Sequence, residues 1–225
     1  MLKKGIFAKR RKKLLNQLLK NSIAIISSGK EMDCYNDTMY EYRQKNDFYY
    51  LTGLDEPDGV AIFIPNRPEG EFILFVRSKN PAKELWTGNY IGQIGAINEY
   101  GANEAFPINK LDDLIPNLLI NKRIIYYMNS HDKNLDKLIM KWVDILQHKV
   151  KLDKPIEFIN LETILHEMRL FKSPTEISIM RKAAKISSKA HINAMKICRE
   201  GMMEYQLEAV IEYDFKYNGM HPAYG

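Results

Sequence analysis

Cysteine is nearly absent from this sequence. Cys34 and Cys198 stand far apart without metal-type spacing, so neither a disulfide framework nor a zinc knuckle is encoded. Both read as buried, reduced thiols. Long apolar runs are missing as well. None approaches the ~18 residues of a membrane-spanning helix, and no signal-peptide core follows the basic start. These absences predict a cytoplasmic chain with no membrane partner. "GNYIGQIG" (residues 88–95) is glycine-rich but has no G-K-[ST] and follows no strand, so it is not a phosphate loop. "HEMRL" (166–170) opens like a zinc-protease helix. Leu170 occupies the place of the second histidine, so two imidazoles cannot leave one helix face together.

What is present is an ordinary globular composition. The 225 residues are 45% hydrophobic and 27% charged, enough for one large domain or two modest ones. The net charge is +5, and much of the excess comes from Lys3, Lys4, Lys9, Arg10, Arg11, Lys12 and Lys13. That run passes straight into Leu14, Leu15, Leu18 and Leu19 at helical spacing. The pattern predicts an amphipathic first helix with a solvated basic face rather than a nucleic-acid patch.

Apolar, β-branched runs predict strands at 22–29, 47–53, 59–65, 71–77 and 122–128. "NRPEG" joins two of them as a hairpin turn. Because the runs are continuous rather than alternating, the strands are expected to be covered on both faces. Helices fit 82–85, 111–119 and 132–147. Residues 1–155 thus read as a mixed-sheet α/β domain with flanking helices. "VKLDKPIEF" is a connector, and 156–225 read as the helical opening of a second, incomplete domain. There Ser173-Pro174-Thr175-Glu176 is a capping box with proline at the first helical position. The following helix carries Ile177, Met180, Ala184, Ser187, His191, Ala194 and Cys198 as an apolar stripe, with Gly201 as its terminator. A further helix spans 205–217. Two helices alone bury little, so this segment needs another layer.

The five histidines, His131, His148, His166, His191 and His221, show no ligand spacing with a nearby carboxylate. His191 reads as a packed, hydrogen-bonded histidine. Asp112 and Asp113 are adjacent and point to different helix faces, a poor acid–base pair. Asp55 and Glu56 read as turn residues before Pro57.

Four blocks, "NDTMYEYRQKNDFYYLTGLDEPDGVAIF", "ELWTGNYIGQIGA", "HEMRLFKSPTEISIMRKAAKIS" and "CREGMMEYQLEAVIEYDF", together resemble the amino-terminal half of aminopeptidase P, the Xaa-Pro aminopeptidase. The resemblance implies a creatinase-like amino-terminal domain followed by the start of a pita-bread metallopeptidase domain. It also implies peptides with proline in second position as substrates, and a homo-oligomer, dimer or tetramer. In that family two divalent ions, usually manganese, are held by two Asp, one His and two Glu. The ligand-bearing strands of the family begin after the segment that "HPAYG" resembles. This chain is therefore expected to bind no metal and to be inactive alone. The resemblance further implies that Trp86, in "ELWTG", reaches the substrate cleft of a neighbouring subunit, with Asp37 at the same rim. Read without it, Trp86 anchors its own helix and Asp37 makes an Asx-turn. Two alternatives stand beside this reading: an Xaa-Pro dipeptidase, and a non-catalytic association module complete at Gly225.

Overall fold

The apolar run near residue 24 becomes the middle of a sheet in the computed structural model, which describes residues 4–36, 38–147 and 155–223. The chain divides into two compact units, Met1–Met168 and Arg169–Gly225. In the first unit the elements run α1 (Lys4–Leu15), β1 (Ser22–Ser27), β2 (Asp33–Tyr35), β3 (Thr38–Met39), α2 (Asn46–Thr52), β4 (Val60–Phe63) and β5 (Phe72–Val76). They continue through α3 (Pro81–Thr87), α4 (Gly92–Asn98), β6 (Glu104–Pro107), α5 (Leu111–Leu118), β7 (Ile124–Tyr127), α6 (Lys133–Gln147), β8 (Glu157–Asn160) and α7 (Glu162–Leu170).

Six strands form one mixed sheet in the order β6-β5-β4-β1-β7-β8. β1 pairs antiparallel with β4, Ala24 opposite Phe63, and parallel with β7, where Ala24 lies beside Tyr126. The expected hairpin is β4–β5, with Phe63 opposite Phe72 and their rings stacked at 5.1 Å. Successive strand residues point to opposite faces, and here both faces are covered. Ala24 and Ile26 pack with Leu14, Phe48, Leu51 and Leu165, under α1, α2 and α7. Ile23 and Ile25 pack with Ile115, Ile139 and Trp142, under α5 and α6. The expected α/β class, a mixed sheet with flanking helices, is the one observed.

Asp112, one of the adjacent acids, ties α5 to α6. It accepts from Trp142 Nε1 at 2.7 Å and from Lys141 Nζ at 2.6 Å, and these bonds hold its carboxyl below the ordinary aspartate range. A depressed folded pKa gives stability that is present above the unfolded pKa, about 4, and lost as pH falls through the folded value. An Asp112→Ala variant is therefore expected to lose less stability on acidification than the parent. Urea midpoints collected from neutral pH down to about pH 3 measure this, and parallel acid limbs would refute it.

Three local expectations are corrected. Residues 47–53 form the helix α2, not a strand. Their aromatic, β-prone composition suggested a strand, but Asp47, Phe48, Leu51 and Thr52 are the buried positions, a helical spacing. Gly53 closes α2 at φ 73, and a Cβ there would lie 2.6 Å from the Phe7 ring, so only glycine fits. The basic face of α1 is not uniformly solvated. Arg10 and Arg11 are buried and donate to the carbonyls of Tyr50 and Leu51, each at 3.1 Å. Those oxygens belong to the last turn of α2, where carbonyls lack helical partners and positive charge is favoured. The guanidiniums also lie over the rings of Tyr50 and Phe72, at 4.0 and 4.3 Å, and burial lowers Arg11 to about 10. Lastly, Cys34 and Cys198 are exposed rather than buried.

The second unit contains α8 (Pro174–Ile197) and α9 (Glu204–Tyr217). The capping box is present: Glu176 N donates to Ser173 Oγ, and Ser173 N donates to a Glu176 carboxylate oxygen. α8 ends at Ile197 with Cys198 as its cap, and Gly201, at φ 84, falls in the turn beyond. Asn193 of α8 donates to Asp214 of α9 at 2.8 Å. The expected stripe is mostly open. Of its members Ala194 alone is buried, joined on α8 by Ala190, while Ile177, Met180 and His191 stay exposed. A groove of about 760 Å³ runs between the two helices, lined among others by Ala184, Ser187, Leu207, Ile211 and Phe215. His191 is hydrogen-bonded as expected, Nδ1 to the Ser187 carbonyl at 2.8 Å, but it is not packed.

Candidate functional site

Trp86 lies in the last turn of α3 and is 87% exposed, with Leu85 beside it at 81%. It does not anchor its own helix. None of the described α3 side chains is buried, so no apolar face holds this helix down. A contiguous exposed apolar patch marks a contact surface, whereas scattered single residues do not; Leu85 and Trp86 are neighbours. α4 adds Ile94, and the β2–β3 hairpin adds Tyr35 and Met39 to the exposed apolar side chains of this unit. Asp37, the second expected rim residue, lies outside the described residues, as does His148.

Polar groups hold the segment around Trp86 instead. Arg77, just past the end of β5, reaches three segments. Its guanidinium donates to Glu31 at 2.6 Å and to Asp58 at 3.0 Å through Nε, and it lies 5.2 Å from the centre of the Tyr90 ring. Burial pulls Arg77 down, but the two carboxylates outweigh it and hold the guanidinium charged, above its ordinary range. Tyr90 N donates to Glu84 of α3 at 3.3 Å, and Ile91 N donates to Glu56 at 2.8 Å. Glu56 is thus more than a turn residue. It holds the entry to α4, and burial raises its carboxyl above the ordinary range.

Behind this knot sits Gln44, buried, with all its main bonding directions used. Its Oε1 accepts from the amides of Gly29 and Lys45, both at 2.8 Å. Its Nε2 donates to the carbonyls of Leu54 and Glu56, at 3.2 and 2.9 Å. One amide therefore fixes three loops. Neither Arg77 nor Gln44 was legible as a site-shaping residue. The one available signal was an arginine closing an apolar strand, and a glutamine between charged neighbours.

Among the described residues, no three side chains of His, Cys, Asp and Glu assemble a metal-ligand set. His131 Nε2 and His166 Nε2 approach Glu162 at 2.9 and 3.8 Å, a pair of exposed imidazoles on one carboxylate. No helix of the described residues is long and apolar enough to cross a membrane.

Comparison with known proteins adds the following. Residues 7–126 match the family model "Aminopeptidase P, N-terminal domain", and residues 178–225 match "Metallopeptidase family M24". The Xaa-Pro aminopeptidase of Escherichia coli is 33% identical over 222 residues, which cover 97% of this chain and 50% of that protein. The Xaa-Pro aminopeptidase of Haemophilus influenzae is 31% identical over 214 residues, 95% of this chain and 48% of that protein. The solved structure of aminopeptidase PepP from Pseudomonas aeruginosa superimposes with a TM-score of 0.98 at 43% identity, covering 100% of this chain and 51% of that one. The chain thus spans about half the length of the curated relatives it matches.

Proposed function

Because the chain belongs to the aminopeptidase P family, we propose that it is the amino-terminal half of a Xaa-Pro aminopeptidase, which removes the first residue from peptides with proline second. Residues 1–155 form the creatinase-like domain in this reading. Residues 156–225 lead into the metallopeptidase domain, their first strand still adding to the amino-terminal sheet. The family is one of metallopeptidases. Its divalent ions, manganese by our assignment, require ligands that the described residues do not supply. The described residues do not fit a metal centre, and in this reading the chemical step belongs to the ligand-bearing half of the protein.

The exposure of Trp86 carries the reading of what this half contributes. An indole held clear of its own core is available as a rigid apolar wall, with little rotamer entropy to lose. A proline ring is a compact apolar partner that can pack on such a face. The protein works as a homo-oligomer in the cytoplasm in this reading, Trp86 facing a neighbouring subunit's cleft, and the open face of α8 and α9 is covered by the rest of the metallopeptidase domain.

An assay with a proline-second tripeptide in manganese buffer tests this on two proteins: the 225-residue chain, and the same chain continued into a ligand-bearing half. Release of the first residue by the longer protein alone is the expected result. Cleavage of Xaa-Pro dipeptides but not of longer peptides would replace it with a dipeptidase. Absence of cleavage by both would favour an association module.

A further inference from the structure

The end of α3 that carries Trp86 is tied down by a relay of side chains rather than by packing. Thr87, its neighbour at the end of α3, donates its hydroxyl to Tyr90 Oη at 2.8 Å. The same oxygen accepts from Arg77 Nη1 at 3.4 Å, while the Tyr90 ring lies against the guanidinium. Arg77 in turn is gripped by Glu31 and Asp58, and its side chain is only 17% exposed. Asp58 leads into β4, whose four residues are all buried. A path therefore runs from the central sheet through Asp58, Arg77 and Tyr90 to Thr87, at the end of α3 beside Trp86. Gly88, at φ 83 with open space where a Cβ would stand, gives the chain after α3 its turn but no anchorage.

We propose that Tyr90, held by Arg77, is a positioning residue that fixes Trp86 for contact with substrate. The significance of that order for peptide binding rests on the reading of Trp86 above; the order itself does not. A segment with few buried apolar contacts is ordinarily mobile, and an exposed side chain reorients within nanoseconds. Two hydrogen bonds at one phenol oxygen join the Tyr90–Glu84 and Ile91–Glu56 bonds in holding this segment where it has no buried face.

The chain contains two tryptophans, Trp86 and Trp142, and they report separately. Trp142 is fully buried, so its emission monitors the core, whereas Trp86 alone is accessible to acrylamide. Tyr90→Phe removes the phenol oxygen and leaves the ring. Time-resolved tryptophan anisotropy of the 225-residue chain is expected to show the fast local component of Trp86 roughly doubling, with Trp142 emission unchanged. Thr87→Val cuts the same bond from the other side and is expected to give the same gain, which keeps the proposal testable if one variant folds poorly. An unchanged fast component in both folded variants overturns it. In the full-length protein, KM for the proline-second peptide is expected to rise about fivefold with kcat little altered. Increased Trp86 motion with unchanged KM would leave the positioning intact and sink the role of Trp86 at the cleft instead.

Discussion

Trp142→Ala is expected to cost the first unit about 3–5 kcal/mol, the range for deleting a large buried aromatic. Trp142 is 0% exposed and sits in the core cluster on the α5–α6 face of the sheet, with Ile23, Ile25 and Ile139. The substitution leaves a cavity and also strips Asp112 of an indole donor at 2.7 Å. Trp142→Phe separates the two effects, because it keeps most of the apolar volume and loses the bond, for about 1 kcal/mol. Urea unfolding followed by far-UV circular dichroism measures both. Fluorescence is a poor substitute, since the remaining Trp86 is already solvated in the native state. Equal losses for the two variants would mean that the hydrogen bond, not the packing, dominates.

Gln44→Leu is expected to be nearly as damaging, although it replaces a polar side chain by an apolar one of similar size. The change orphans two amides and two carbonyls at once. A buried group left without a partner costs about 1–3 kcal/mol, and the bonds to Gly29 and Leu54 are buried. A total loss of roughly 3 kcal/mol follows. Because three loops are released together, Gly29, Leu54 and Glu56 should also lose hydrogen-exchange protection around them. A loss below about 0.5 kcal/mol, with protection retained, would show that water replaces the amide at little cost.

The sequence was readable where one local rule dominated. The β4–β5 hairpin was found because Pro68 and Gly70 stand between two apolar runs, and the α8 start because Ser173 and Glu176 form a box. Burial on both faces of the sheet was visible as unbroken apolar runs. The readings failed where a distant residue decided the outcome. Arg10 and Arg11 are buried only because α2 ends about 40 residues later and leaves carbonyls free. Residues 47–53 are helical because their buried positions face α1 and the sheet, which overrides aromatic strand propensity. The strands β6 and β8 went unseen, since they are edge strands without the continuous buried run of β4 and β7, and each borrows its order from a neighbour already in the sheet. For the candidate site, Trp86 was singled out through family resemblance alone; the structure shows its exposure, and its role is a proposal. The relay that holds the end of α3 was not legible, because Arg77, Tyr90 and Asp58 are brought together by the fold and share no motif.

The position of β1 has a consequence for how the protein is made. One edge of β1 pairs with β4, and the other waits for β7, which lies roughly 100 residues further along the chain. At about 5–20 residues per second of synthesis, that edge stays unpaired for several seconds or more. It is an apolar strand of six residues, the kind of edge that recruits foreign strands. Low temperature, slow synthesis or a pause between residues 64 and 124 would lengthen this exposure. Aggregation during production is therefore expected to depend on the pace of translation across that interval more than on the stability of the finished fold.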